Sequence, residues 1–91
     1  MYELQITENT RKEIEQLKAS GEESEIRRLE ELLKELQAHP RTGIGKPEEL
    51  GGALSGKWSR RISEKNRLVY EIDTSAWRVT VLRAIGHYTD H

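Results

Sequence analysis

Pro40, Gly43, Gly45, Pro47, Gly51, Gly52 and Gly56 all fall between residues 40 and 57, and no regular element of any length can run through such a density of breakers. The chain is therefore split into two stretches that must fold by different periodicities. Before the break, Ile26, Leu29, Leu32, Leu33 and Leu36 recur at helical spacing with charged residues between them, the signature of a helix with one buried stripe. Thr10, Ile14 and Leu17 form a weaker stripe of the same period. After the break, residues 58–63, 67–73 and 77–85 are rich in Ile, Val, Leu, Tyr and Trp and read as strands.

Local signals sharpen the boundaries. Tyr2, Leu4 and Ile6 alternate with Glu3 and Gln5, as in a strand with one covered face. Thr7 is suited to cap a first helix, and Gly21 to close it in the left-handed conformation. Ser20 with Glu23 makes a capping-box pattern for a second helix, which Pro40 ends by disfavouring helical geometry at His39. The expected layout is strand 2–6, helices 8–19 and 22–38 as a hairpin, an ordered loop or short strand over 40–57, and a strand meander over 58–88. The polar connections 63–66 and 73–76 are short, so consecutive strands should be antiparallel neighbours. This is an α+β arrangement, expected to form a single domain over residues 1–91.

Composition limits what such a domain can do. A chain of 91 residues buries only about 60% of its unfolded surface, so 34% apolar residues against 34% charged leave little for an oily surface. No stretch approaches a membrane span of about 20 apolar residues, and the first 20 residues lack the apolar centre of a signal peptide. A cytoplasmic location without membrane contact is the expectation. The absence of cysteine excludes disulfides, thiolate metal sites and cysteine nucleophiles. A formal net charge of −1 conceals a division: residues 1–39 hold ten acidic and six basic residues, residues 40–91 six and nine. The positive field belongs to the second half, through Arg41, Lys46, Lys57, Arg60, Arg61, Lys65 and Arg67.

His39, His87 and His91 have no spacing suited to a helix-borne metal site, and the segment around Gly43 and Gly45 lacks the form of a phosphate loop. No cofactor or metal is expected. What remains is acid–base chemistry beside arginine, the equipment for driving a ribose 2′-oxygen onto its neighbouring phosphate. Glu48 is suited to take the 2′-OH proton, and Arg67 to stabilise the phosphorane with its planar, permanently charged fork. His87 is suited to protonate the departing 5′-oxygen, with Tyr88 beside it to orient the phosphate. Each residue also has a structural reading. Glu48 is then a solvated carboxylate, Arg67 a partner of Glu71 on one strand face, and His87 with Tyr88 the frayed end of a strand. Trp58 and Trp77 serve either as base-stacking platforms or, in a chain with no Phe, as the bulk of the core.

Gly-Lys-Pro-Glu-Glu-Leu at 45–50, Leu-Ser-Gly-Lys-Trp-Ser-Arg-Arg-Ile at 54–62, Asn-Arg-Leu-Val-Tyr at 66–70 and Gly-His-Tyr at 86–88 together resemble the YoeB/Txe toxins of the RelE superfamily in order and spacing. The resemblance implies a microbial-ribonuclease-like fold, with two N-terminal helices packed on an antiparallel sheet of four to five strands. It implies a ribosome-dependent endoribonuclease that cuts messenger RNA without a metal and is silenced by a cognate antitoxin of the YefM/Axe kind. The family's catalytic positions fall on Glu48, Arg67, His87 and Tyr88. Arg60 and Arg61 match positions suited to RNA phosphates, with Lys46 and Lys57 adding to the basic patch. A homodimer is compatible with the family, as is a catalytically silent module that binds RNA or protein, such as a corepressor subunit. Two departures stand out: Gly51 where many relatives carry lysine, and the added Thr89, Asp90 and His91.

Overall fold

A computed structural model describes residues 1–86. In chain order the elements are β1 (Glu3–Ile6), α1 (Glu8–Ser20), α2 (Glu23–Ala38), β2 (Glu48–Glu49), β3 (Lys57–Arg61), β4 (Arg67–Asp73) and β5 (Arg78–Arg83), with one short 3-10 turn at Gly52–Leu54. The strands form one sheet in the order β1-β5-β4-β3-β2, and the helical hairpin covers one of its faces.

The helices form where their stripes require. Leu29, Leu32 and Leu36 are fully buried, and Ile14 and Leu17 nearly so, against Leu68, Tyr70, Val79 and Val81 of the sheet. Thr7 caps α1 through its side-chain oxygen, which accepts from the Thr10 N–H at 3.2 Å. The hairpin turn departs from expectation. Gly21 is extended (φ −82°, ψ 164°) rather than left-handed, and a Cβ there would lie 2.5 Å from the Leu17 carbonyl oxygen, so close approach is what calls for glycine. Ser20 makes no capping box: its hydroxyl turns back to the Gln16 carbonyl at 2.8 Å, and Glu22 is the N-cap of α2 with no side-chain hydrogen bond.

Strands β2 to β5 pair antiparallel in sequence order, as short connections dictate. The sheet as a whole is mixed, because β1 pairs parallel with β5, Glu3 opposite Arg78 and Ile6 opposite Val81. No turn joins these two strands, so nothing local dictates their relative direction. Of the two tryptophans, Trp58 packs against the core while Trp77 is 57% exposed, in the β4–β5 turn with φ 53° and its ring 5.0 Å from that of Tyr2. Its place in a tight turn carries the ring out of reach of the core. No described helix is long and apolar enough to cross a membrane.

Candidate active site

The sheet face away from the helices carries the candidate site, and strand alternation decides which residues reach it. On β3, Trp58 and Arg60 point toward the helices while Ser59 and Arg61 lie on the open side with Lys57. Arg61 stands directly opposite Arg67 of β4, and Ser59 opposite Glu48 of β2. Glu48, Arg61 and Arg67, together with Gly45, Lys46, Glu49, Leu50, Gly51 and Ser59, line one concavity of about 220 Å³. By strand geometry the Cα atoms of Glu48 and Arg67 are about 12 Å apart.

Two like charges set directly opposite on a sheet are unfavourable unless an anion lies between them. Arg61 makes no ion pair among the described residues. Arg67 donates from Nη1 to the Ser63 carbonyl at 2.9 Å, which ties it to the β3–β4 turn, and it is Lys57, not Arg67, that pairs with Glu71, at 3.9 Å. Lys46 holds a left-handed backbone, φ 52°, which costs a residue with a Cβ roughly 1–2 kcal/mol.

Arg60 does not stand on the basic surface where the sequence expectation put it. It is fully buried, and five hydrogen bonds engage its guanidinium: Nε to the Tyr70 hydroxyl at 3.0 Å, Nη1 to Glu35 Oε1 and the Ile44 carbonyl, and Nη2 to the carbonyls of His39 and Thr42. Glu35 also accepts from the Ile44 N–H at 2.9 Å, and the Tyr70 hydroxyl donates to the Pro40 carbonyl at 2.7 Å. Burial raises the Tyr70 pKa above its ordinary 10.0, against the opposing pull of Arg60. A cation removed from water needs this much compensation, and the C-terminal end of α2 supplies part of it. The cluster also explains how a breaker-rich segment stays ordered: residues 39–44 are wrapped around one guanidinium, and the chain leaves it at Gly45 to form the site's rim.

Gly45 is the tightest point of that rim. It has φ +80°, and a Cβ would lie 3.0 Å from the Arg61 carbonyl oxygen and 3.1 Å from Leu32 Cδ2. Its own carbonyl accepts from the Arg61 N–H at 2.7 Å. Gly45→Ala is expected to lower stability by about 1–3 kcal/mol, read as the midpoint of a urea transition. A midpoint unchanged from the native protein would show that the rim yields freely.

The structure thus unites Glu48, Arg67, Arg61 and Lys46 and separates two others from them. Arg60 is turned inward, and Lys57 sits farther along β3 in a neighbouring depression. His87 and Tyr88 lie outside the described residues. No group of three or more His, Cys, Asp or Glu among the described residues is placed to hold a metal ion. Ser59 is buried at the floor of the concavity, on the face where its alternation with Arg61 puts it.

A helical hairpin on one face of a five-stranded mixed sheet is the fold of the YoeB/RelE-like toxins. The model of the YoeB-like toxin of bacterial type II toxin–antitoxin systems matches residues 7–88, and the chain belongs to this family. Toxin YoeB of Mycobacterium bovis is 52% identical over 62 residues, covering 68% of this chain and 71% of that protein. A YoeB/ParE toxin from Agrobacterium tumefaciens superposes with a TM-score of 0.85 at 30% identity, covering 94% of this chain and 99% of its own. YoeB from Staphylococcus aureus, in its complex with YefM, gives a TM-score of 0.79 at 27% identity, covering 97% of this chain and 99% of that one; its dimer gives the same score and identity over 96% and 98%.

Proposed function

We propose that the chain is an endoribonuclease toxin that cuts messenger RNA on the ribosome, without a metal, by attack of a ribose 2′-oxygen on the adjacent phosphate. The observation that carries this reading is the convergence of Glu48, Arg61, Arg67 and Lys46 on one concavity from three separate segments of chain. Glu48 takes the 2′-OH proton as the new O–P bond forms. Arg67 holds the crowded phosphorane, and Arg61 and Lys46 hold the phosphate backbone on either side. The P–O5′ bond breaks as His87 protonates the leaving oxygen, with Tyr88 orienting the phosphate, and the products carry a 2′,3′-cyclic phosphate and a 5′-hydroxyl. The net charge of the whole chain is immaterial, because the acidic surplus belongs to the helical half on the other side of the sheet.

The same reading gives the protein a cytoplasmic place of action beside ribosomes and a cognate antitoxin of the YefM kind, supported by the complex of the Staphylococcus aureus relative. That relative's dimer supports a homodimer for this chain too. Glu48→Gln, which keeps size and polarity but not basicity, is expected to lower kcat for ribosome-bound messenger about 100-fold. Primer extension on a defined transcript measures it, in buffer containing EDTA. Undiminished cutting by the variant would remove Glu48 from the base role, and cutting that EDTA abolishes would reject the metal-free route.

A further inference from the structure

The stretch that leaves β5 is held by two side chains that the proposed chemistry does not use. Glu13, on α1, accepts from two successive backbone N–H groups through a single carboxylate oxygen: Ala84 at 2.7 Å and Ile85 at 2.9 Å. Asn66, in the turn before β4, accepts the next one, from Gly86 at 3.0 Å, and donates to Glu25 of α2 at 3.0 Å. From the same side the Arg67 N–H donates to the Gly86 carbonyl at 3.1 Å. Three consecutive N–H groups past a strand's end are thus captured by side chains from two other elements, where a chain end would ordinarily fray. Gly86 then turns with φ +111°, a conformation that residues with a Cβ rarely adopt.

Core packing fixes Ala84, which is fully buried, and Ile85, which packs beside it, but it does not fix Gly86, which has no side chain to pack. What the anchor does determine is where Gly86 stands relative to Arg67. We infer that Glu13 and Asn66 are positioning residues: they clamp residues 84–86 to the backbone of Arg67 and so hold in register, beside the cation of the site, the strand end that the proposed acid follows in sequence. The inference rests on the nuclease reading above. A carboxylate oxygen is the apt group, since its bonds to N–H are charge-assisted and one oxygen serves two donors. Misplacement of a reacting group by even 1 Å costs on the order of 100-fold in rate, so a partial loosening should be visible in kcat.

The test compares the native protein with Glu13→Ala, Glu13→Gln and Asn66→Ala. One arm is steady-state cleavage of a defined messenger on ribosomes; the other is hydrogen exchange at the Ala84, Ile85 and Gly86 amides. Glu13→Ala should lower kcat about tenfold with KM unchanged and speed exchange at Ala84 and Ile85. Glu13→Gln, which keeps an acceptor oxygen, should return most of both. Should Glu13→Ala fail to fold, Asn66→Ala carries the same expectation, with Gly86 the amide that exchanges faster. Faster exchange with native kcat in a folded variant would overturn the positioning role while leaving the nuclease reading intact. A native protein that cuts no messenger would overturn both.

Discussion

Arg60→Ala is expected to remove about 3–5 kcal/mol of stability, the range found when one partner of a buried ion pair is deleted. A domain of this size has on the order of 5–14 kcal/mol in all, so the variant should lose a large share of its stability and, at the lower end of that range, unfold at growth temperature. The loss has identifiable parts. Glu35 is left as a half-buried carboxylate without its cation, and the carbonyls of His39, Thr42 and Ile44 lose their donor. Residues 39–44 then have no centre to wrap around, and the rim that presents Lys46 and Glu48 loses its support. Arg60→Lys should recover little, because an ammonium has three donors and no planar fork, while five bonds must be made. Replacing Arg60 and Glu35 together by methionine should destabilise less than Arg60→Ala alone, since no charge is then stranded. Urea midpoints for the set decide the matter. A loss below 1 kcal/mol for Arg60→Ala would show that the buried cluster is dispensable and reopen a surface role for Arg60.

Arg67→Ala is expected to do the opposite: a folded protein with about a 1000-fold lower kcat. The magnitude is that of deleting one donor from a preorganised anion site, where a fixed cation meets charge that appears only in the transition state. KM should change little, because Arg61 and Lys46 remain to hold the substrate backbone. Loss of the bond to the Ser63 carbonyl should lower stability by only about 1 kcal/mol, so the activity loss and the folding loss can be separated by thermal melting. Arg67→Lys should keep the charge and lose the two-pronged geometry, leaving an intermediate rate. A kcat within threefold of the native value in Arg67→Ala would sink the nuclease mechanism, since no other described residue stands at that position opposite Arg61.

Much of the fold was legible because it follows from period. The Leu29, Leu32 and Leu36 stripe, the Thr7 cap and the three C-terminal strands lie within a residue or two of where the pattern puts them. The misreading of Arg60 is instructive, because the corrective signal was also in the sequence. Arg60 and Arg61 are neighbours on a strand and must face opposite ways, and Arg60 shares its parity with Trp58 and Ile62, both packed on or within the core. A basic pair on one surface was never compatible with that alternation.

Side-chain period and breaker residues act over a few positions at most, and they set the elements, their order, the face each one buries and the residue types available for chemistry. Which distant groups meet is a property of the packed chain. It chose Glu35 for Arg60 across 25 positions and Glu13 for the amides of Ala84 and Ile85 across about 70, and it laid β1 parallel to β5 with no turn to require it. Such partners are selected by where desolvated charges and unpaired backbone groups can be satisfied together. That condition depends on the whole packed chain, and no local pattern carries it.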